Sequence, residues 1–333
     1  MVAMFLIQGL SWIMRQAVSK TALYASASLS LVSMSSLLLV FFKATSHPFV
    51  IAFQAATPAT LVAGILSVLL AAFSLNRRAI LVSVSVLALW CSFLLDLRMS
   101  ATPQGLKEPG IKVVATNLYM GNKTPGLSVK NALEQSPDVL ISVETDLVTK
   151  KLIEDSGLSL VAKGALRADG VYIWSSLPAS PGRPIVLHER VLPTATISKG
   201  GFTFTVVGVH LMSPSTDETL SYWKKDWEMF LPYIKSLPGR AVLLGDFNTS
   251  LVHSPMRTAL GDLNVASSSS LGTLVTPTWP NQPYKWWKQP LQVLDLDHIL
   301  MKDLGAKDFE RFELPGSDHL GVAAVVGPLA SKD

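Results

Sequence analysis

The sequence predicts an α/β (α+β) domain after about residue 110, preceded by a region of three transmembrane helices. Residues 1–100 contain six basic residues, one acid and three long apolar stretches. Residues 111–328 alternate short apolar runs with segments of helical periodicity. Between the two parts, residues 99–110 hold two prolines and two glycines, which is typical of a linker. The predicted domains are therefore a membrane region over 1–98 and a globular domain over 111–328.

The three apolar stretches cover about residues 21–42, 50–75 and 79–95. Each is close to the roughly 20 residues that a helix needs to cross a bilayer. A core helix of a soluble protein needs a polar face, which these stretches almost lack. Pro58 in the second stretch is compatible with a helix buried in lipid. Residues 5–14 are too short to span a bilayer and predict a separate interfacial helix.

Lys and Arg residues beside these stretches predict the topology. Arg15 and Lys20 precede the first span, Arg77 and Arg78 lie between the second and third, and Lys43 is the only such base between the first and second. Basic segments stay in the cytoplasm, so the N-terminus is expected inside and the globular domain outside. The expected location is a bacterial inner or plasma membrane, with a periplasmic or extracellular domain.

The charge of the two parts limits the function. The chain has a formal net charge of +4, and residues 1–100 carry +5 of it, which leaves about −1 for the rest. A protein that binds duplex DNA without sequence preference usually has a strongly basic face. The charge balance therefore argues mildly against a broad DNA binder, although it leaves room for a local basic patch.

Six predicted strands place a polar residue at one end. The strands cover residues 111–116, 138–143, 202–209, 241–244, 297–301 and 319–326, and helical periodicity appears over 127–135, 146–156 and 217–236. The polar residues are Asn117, Glu144, His210, Asp246, Asp297 and His319. Strand ends are polar in most proteins, but exposure alone does not favour these residue types. Because strand ends of opposite direction can share an edge of a mixed sheet, we expect the six to converge.

Two motifs carry most of the chemical information. Gly245-Asp246-Phe247-Asn248 follows an apolar strand and puts a carboxylate and a carboxamide on one loop. Ser317-Asp318-His319 precedes another apolar strand. In this order the motifs resemble the endonuclease/exonuclease/phosphatase superfamily of metal-dependent phosphoesterases. The resemblance covers roughly residues 111–328 and implies a DNase I-like two-sheet sandwich flanked by helices.

The resemblance also implies roles for the catalytic residues. Asp246 would orient or deprotonate the attacking water, and Asn248 would bind a phosphate oxygen. His210 would contact the scissile phosphate. Asp297 would pair with His319 and favour its protonated form.

A metal site is implied as well. Glu144 matches the metal-ligating glutamate, Asn117 helps to hold the metal shell and the phosphate, and Asp318 is a further metal-side carboxylate. Oxygen ligands suit Mg²⁺ or Mn²⁺ rather than zinc. Asn122 would substitute for a second polar residue that some relatives carry two positions after the first-strand asparagine. Asp295 stands where many relatives have a basic residue.

The substrate is left open by the sequence. A membrane anchor beside a nearly neutral domain favours a phosphoester at the lipid bilayer, such as a phospholipid or a lipid-linked phosphate. Lys285, Trp286 and Trp287 form a segment typical of an interfacial loop, of a stacking platform for single-stranded nucleic acid, or of ordinary packing. The alternatives are an external nuclease acting on DNA or RNA and a non-catalytic membrane scaffold. No obligate protein partner is indicated.

Overall fold

The computed structural model describes residues 2–99, 106, 110–164, 170–266, 276–282 and 292–329. It divides into two compact units, which are described separately. One comprises Met1–Ala44 and Ala52–Asp96, and the other comprises Thr45–Ile51 and Leu97–Asp333.

The N-terminal part of the chain is helical. Its helices are α1 (Val2–Phe41), α2 (Pro48–Ala55), α3 (Thr57–Ser74) and α4 (Arg77–Met99). Because α1 is continuous from Val2, the prediction of a separate interfacial helix over residues 5–14 is wrong. Residues 15–20 contain neither proline nor glycine, so nothing in them ends the helix.

The prediction of three spans is supported only in part. Among the described residues, Met14–Phe41 is long and apolar enough to cross a membrane. The second predicted span is bent by 66° between Pro48–Ala55 and Ala59–Ser74, with a proline in the first turn of α3. Proline lacks the backbone N–H that would continue the helix. α4 covers the third predicted span but is not among the candidate spans, so the described residues show one span, or two if the bent pair counts as one.

Buried serine hydroxyls join the helices of the first unit. Ser67 Oγ on α3 lies 2.6 Å from Ser30 Oγ on α1 and 2.7 Å from Ser83 Oγ on α4. Ser26 and Ser67 each donate to the other's backbone oxygen at 3.0 Å. Interhelical hydrogen bonds of this kind stabilise the packing of apolar helices against one another.

The second unit alternates strands and helices. Its helices are α5 (Pro125–Glu134), α6 (Leu147–Glu154), α7 (Asp217–Ser236) and α8 (Ser254–Ala259). Its strands are β1 (Ile111–Asn117), β2 (Val139–Val143), β3 (Ser159–Lys163), β4 (Tyr172–Ser175), β5 (Ala179–Pro181), β6 (Ile185–Val186), β7 (Val191–Leu192), β8 (Thr194–Lys199), β9 (Phe202–His210), β10 (Ala241–Asp246), β11 (Asn264–Val265), β12 (Asp297–Lys302), β13 (Gly305–Phe312) and β14 (Gly321–Gly327). The strands and helices predicted from periodicity all form, with bounds that differ by about two residues or fewer.

Two six-stranded mixed sheets form the main part of the domain, and β6 and β7 pair in a separate two-stranded sheet. The strand orders of the six-stranded sheets are β13-β14-β1-β2-β4-β3 and β11-β12-β10-β9-β8-β5. In the first sheet, β1 is parallel to β2 and antiparallel to β14. In the second, β10 is parallel to β9 and antiparallel to β12. The two sheets therefore use the same local arrangement of strands.

Strand alternation explains the layers. Val113 and Val242 belong to the core cluster between the sheets, whereas their neighbours Val114 and Leu243 belong to clusters on the outer faces. The outer cluster of the first sheet includes residues of α5 and α6, and that of the second includes residues of α7 and α8. Strands buried on both faces read as continuous apolar runs, as these do. The predicted two-sheet sandwich flanked by helices is confirmed.

Candidate active site

The six polar residues at the strand ends lie together at one edge of the sandwich. In the first sheet the carboxyl ends of β1 and β2 adjoin the amino end of β14. In the second sheet Asp246 pairs in register with both His210 and Asp297. The structure therefore brings together the residues that the sequence analysis expected to converge.

Asn117 connects the two sheets at this edge. Its Nδ2 donates hydrogen bonds to Glu144 Oε1 and Asp246 Oδ2, both at 3.1 Å. Its Oδ1 accepts a hydrogen bond from the backbone N–H of Tyr119 at 3.0 Å. Because that N–H needs an acceptor, the amide oxygen is turned away from the carboxylates. Asn117 thus positions Glu144 and Asp246, and its predicted part in holding the metal stays a prediction.

The loop after β10 fixes the carboxylate of Asp246. Gly245 has φ +138°, and a Cβ there would lie 2.1 Å from the backbone oxygen of Val209, so only glycine fits. The backbone N–H of Asn248 donates to Asp246 Oδ1 at 2.8 Å. Asn248 Nδ2 donates to Asp246 Oδ2 at 3.1 Å and to the backbone oxygen of Leu211 at 3.0 Å. Both amide hydrogens are used, so Asn248 orients Asp246, and the predicted donation to a phosphate would require one of these bonds to break.

Asp297 and His319 form a buried pair. His319 Nδ1 lies 2.8 Å from Asp297 Oδ2, and His319 Nε2 lies 3.8 Å from Asp246 Oδ2. The first distance is a hydrogen bond in which the imidazole donates, and the second leaves a gap between the two groups. The predicted pairing is therefore present, with Nε2 of His319 facing the carboxylate of Asp246.

Burial and the neighbouring charges shift the pKa values of Asp246 and His319 in directions that suit acid–base chemistry. Burial raises the pKa of Asp246 to about 7, with the charge of His319 opposing this rise and that of Asp297 adding to it. Burial lowers the pKa of His319, but the charges of Asp297 and Asp246 outweigh this and raise it to about 10. Asp246 can therefore accept a proton near neutral pH while His319 stays protonated.

His210 provides a neutral imidazole. Burial, followed by the charges of Arg190 and His319, lowers the pKa of His210 well below its usual value. Its Nε2 lies 3.9 Å from Glu144 Oε1 and 3.9 Å from Asp246 Oδ2. These distances are too long for direct hydrogen bonds, and the buried Nδ1 has no hydrogen-bond partner among the described residues. The imidazole therefore lies near both carboxylates without a hydrogen bond to either of them.

The donor set fits a hard divalent cation. Asp246, Asp297 and His319 offer ligand atoms within 4.8 Å of one another, close enough to hold a metal ion. Since His319 keeps its proton and donates to Asp297, it is a poor ligand. Glu144 accepts a hydrogen bond from the same Asn117 Nδ2 as Asp246 does, and its carboxylate is half-buried. Glu144 therefore offers carboxylate oxygens of the kind that Mg²⁺ or Mn²⁺ prefers, next to the carboxylate of Asp246.

Asp318 and Asn122 are placed differently from the main cluster. Asp318 Oδ2 accepts a hydrogen bond from Trp279 Nε1 at 3.2 Å, beside His319. Its role as a metal ligand stays a prediction. Asn122 Nδ2 donates to Ser128 Oγ at 2.9 Å and to the oxygens of Leu118 and Pro315 at 3.3 Å. Asn122 braces a loop here and does not join the cluster.

Lys285, Trp286 and Trp287 lie outside the described residues, so their predicted contact with substrate stays a prediction.

Three further residues hold the site in place by contacts that the sequence analysis did not predict. Thr278 Oγ1 donates to Asp297 Oδ2 at 2.6 Å, the oxygen that also accepts from His319. Ser317 Oγ donates to the backbone oxygen of Asn117 at 2.7 Å. Asp295 accepts hydrogen bonds from Ser250 Oγ and, at 3.1 Å, from the N–H of Leu251, so it braces the loop after Asn248. Thr278 belongs to the segment Pro277-Thr278-Trp279-Pro280, which was the only sequence signal for its role.

Thr278→Val is expected to lower turnover about tenfold, because a hydrogen bond to a charged group is typically worth about 1.5–3 kcal/mol. Without the hydroxyl, the carboxylate of Asp297 is less firmly positioned against His319, so it stabilises the imidazolium less strongly. The alkaline limb of the pH–rate profile should therefore move to lower pH. Thr278→Ser keeps the hydroxyl and should restore both properties. An unchanged profile for Thr278→Val would show that Thr278 is merely structural.

Comparisons with known proteins agree with this geometry. The model of the endonuclease/exonuclease/phosphatase family matches residues 114–319. Among solved structures, the chain is similar to an endonuclease/exonuclease/phosphatase from Beutenbergia cavernae DSM 12333, with a TM-score of 0.53 and 15% identity over 67% of this chain and 72% of that one. No curated protein matched the sequence.

Two further structures share the fold. The human nocturnin catalytic domain with bound sulfate anion has a TM-score of 0.50 and 17% identity, covering 69% of this chain and 98% of that one. D. rerio TDP2 complexed with single-strand DNA product has a TM-score of 0.51 and 12% identity, covering 66% of this chain and 100% of that one. Such low identities speak for the fold alone. Since the family match spans more than half of the chain and runs from β1 to His319, the protein belongs to the endonuclease/exonuclease/phosphatase family of hydrolases that act on phosphoester bonds.

Proposed function

We propose that this protein is a divalent-metal-dependent phosphoesterase in which Asp246 activates water for in-line attack on phosphorus. The observation that carries the proposal is the position of Asp246. Its Oδ2 lies 3.1 Å from Asn117 Nδ2, which also binds Glu144, and 3.8 Å from Nε2 of His319. A proton acceptor thus sits between a candidate metal ligand and a protonated imidazole.

Each residue then has a defined task. Mg²⁺ or Mn²⁺ held by Glu144, with Asp318 as a further predicted ligand, would polarise a phosphoryl oxygen and neutralise charge that develops on it. Asp246 orients the water and takes its proton, while Asn117 and Asn248 hold the carboxylate at a fixed angle. The protonated Nε2 of His319 stabilises negative charge on the phosphoryl group. His210 adds a neutral hydrogen-bonding group on the same side.

Hydrolysis is expected to require Mg²⁺ or Mn²⁺ and to stop with EDTA. Glu144→Gln keeps the shape of the side chain but removes its charge, so it should raise the Mg²⁺ concentration needed for half-maximal activity. The exposed Glu154 provides the control, since Glu154→Gln should leave that concentration unchanged. Full activity of the wild type in chelator, or restoration by zinc alone, would overturn the metal assignment.

The N-terminal region supports a membrane anchor in this proposal. Only 33% of the apolar window within Met14–Phe41 is buried, whereas a core helix of a soluble protein is mostly buried. Large apolar side chains such as Leu31, Phe41 and Leu69 are 67%, 75% and 61% exposed, respectively. We infer that this unit lies in lipid, as a multi-pass region of a bacterial inner or plasma membrane. The distribution of basic residues further favours a cytoplasmic N-terminus and an external catalytic domain.

Reporter fusions can test this topology. A reporter that is active only outside the cytoplasm should be active when fused after Lys332 and silent when inserted between Arg77 and Arg78. The reverse pattern would overturn the orientation.

A phosphoester at the membrane surface is the substrate that we favour. The membrane anchor would keep the site close to lipid, and the residues after position 100 carry a net charge near −1. An external nuclease is the second candidate, because the similarly folded TDP2 was solved with a single-strand DNA product. Release of headgroup from phospholipid vesicles, compared with nicking of plasmid DNA by the same preparation, distinguishes the two. Nicking without headgroup release would favour the nuclease.

A further inference from the structure

Exposed apolar side chains of the catalytic domain are concentrated in one segment. After residue 110, eight large apolar side chains are strongly exposed among the described residues, and five of them lie between Met120 and Leu152. These five are Met120 (43% exposed), Leu127 (51%), Leu147 (81%), Val148 (62%) and Leu152 (37%), which we call the apolar patch. Single exposed apolar residues are ordinary on a protein surface, but a cluster marks an interaction site.

The geometry of α6 explains why these side chains are not in the core. Thr149 and Ile153, four residues apart, are the buried face of the helix. Val148 and Leu152 have the same spacing on a different face, so they point outward together. On the neighbouring helix α5, a Cβ added to Gly126 would lie 4.0 Å from Leu152 Cδ1. The two helices therefore adjoin, and Leu127 follows directly after this contact.

The apolar patch borders the catalytic site. The backbone N–H of Met120 donates to Glu144 Oε2 at 3.2 Å, while Asn117 holds the other oxygen of this carboxylate. Glu144 directly follows β2, and α6 begins only three residues later, at Leu147. A surface that binds to the patch would consequently lie against the Glu144 side of the site.

The charges of α6 are largely compensated. Lys150 lies 2.5 Å from Glu154, and Lys151 pairs with Asp155, in both cases four residues along the helix. On α5, Lys130 lies 3.7 Å from Glu134. Such a surface has little net charge to attract nucleic acid or an acidic protein. Its binding would come from burial of apolar side chains.

We propose that the apolar patch inserts into the interfacial region of a lipid bilayer and so places the Glu144 side of the catalytic site at the membrane surface. The inference rests on the proposed function and names the surface by which a lipid-borne phosphoester is reached. A bilayer is the fitting occupant because the patch is nearly uncharged and the same chain carries an exposed apolar helix that is long enough to cross a membrane.

The first test measures insertion without reference to activity. In full-length protein with Cys91→Ser, Val148→Cys carries an environment-sensitive fluorophore, and the protein is placed in nanodiscs. The control carries the label at Ser180→Cys, an exposed position on β5 of the other sheet. Acyl-chain spin-labelled lipid should quench the label at position 148 and not the label at position 180. Equal, weak quenching at both positions would overturn the proposal.

The same experiment recognises a different occupant. A second copy of the chain would shield the label at position 148 more strongly as protein concentration rises, without quenching by the spin-labelled lipid. That result would also overturn the proposal, because it would assign the apolar patch to self-association.

The second test measures activity on two substrates. The triple variant Leu147→Ser, Val148→Ser and Leu152→Ser should hydrolyse a phosphodiester presented in the nanodisc at least about tenfold more slowly, because less apolar surface is buried. Its activity on water-soluble bis(4-nitrophenyl) phosphate should stay within about twofold of wild type, since none of the three touches the catalytic cluster. The control, Val186→Ser with Met229→Ser, removes exposed apolar groups from β6 and α7 and should affect neither substrate.

The outcomes separate this proposal from the proposed function. If the wild type hydrolyses neither substrate, the proposed function fails, while the quenching result still decides about insertion. If the wild type hydrolyses both and the triple variant does so equally well, the catalytic proposal stands and the role of the apolar patch is wrong.

Discussion

Asp246→Asn is expected to lower turnover at least about a hundredfold with little change in fold, the usual scale for loss of a key catalytic group. Asparagine keeps the size of the side chain, and its carbonyl oxygen can still accept hydrogen bonds from Asn117 and Asn248, but it cannot take a proton from water. Turnover on a soluble phosphodiester, measured with saturating Mg²⁺, tests this expectation. The exposed Asp262 supplies the control, because Asp262→Asn should retain wild-type turnover. Turnover of Asp246→Asn within a few-fold of wild type would mean that another group is the base.

The stability of the same variant has a predictable sign. In the folded protein without metal, burial raises the pKa of Asp246 to about 7 from the usual 3.8. The folded state therefore binds this proton more tightly than the unfolded state does. Ionised Asp246 lowers the free energy of unfolding progressively as pH rises from about 4 to about 7. Without metal at pH 8, Asp246→Asn should consequently unfold at a temperature no lower than wild type. A marked drop would show a structural role that explains lost activity without catalysis.

His319→Ala is expected to be comparably damaging, because it removes the protonated imidazole whose Nε2 faces Asp246 and is proposed to stabilise the phosphoryl group. Asp297→Asn should be less damaging, since Asp297 acts through His319. If so, the double variant should be hardly slower than His319→Ala alone, because residues that act as a unit are not additive. The half-buried His188 provides a histidine control away from the cluster. Independent, multiplicative losses in the double variant would show that Asp297 has a separate task.

The pair also predicts a pH dependence. Burial lowers the pKa of His319, but the charge of Asp297, followed by that of Asp246, outweighs this effect and raises the pKa to about 10. Activity that needs the imidazolium should therefore persist through neutral pH and fall as pH approaches 10. Removing the negative charge with Asp297→Asn lowers the pKa of His319, so the alkaline limb should move toward neutral pH. An NMR titration of the imidazole of His319 in metal-free protein measures the same shift directly.

Much of the site could be predicted from local sequence. Each buried strand is a short apolar run, and the polar residue that ends or begins it marks the edge of the sheet. This reasoning identified Asn117, Glu144, His210 and Asp246, because each of them follows an apolar run and so lies at the carboxyl end of its strand. The pairing of Asp297 with His319 was identified from the family resemblance, and the structure confirms their hydrogen bond.

Which atom faces which neighbour could not be predicted from the sequence. Asn117 and Asn248 were expected to bind metal or phosphate, yet backbone groups decide their orientation. The backbone N–H of Tyr119 donates to the amide oxygen of Asn117, and the amide nitrogen of Asn248 donates to the backbone oxygen of Leu211. An amide can face either way, and only its folded surroundings choose.

The sequence by itself determined the chemical inventory of this protein: an apolar N-terminal region, a domain of buried strands, and acids, amides and histidines at the strand ends. These follow from periodicity and composition, which are local properties. The tertiary structure decided which side chains from distant parts of the chain meet and which stay exposed. It brought Thr278 against Asp297 and left Leu147 and Val148 exposed beside Glu144. Contact and exposure depend on how distant parts of the chain pack together, so they arise only in the folded protein.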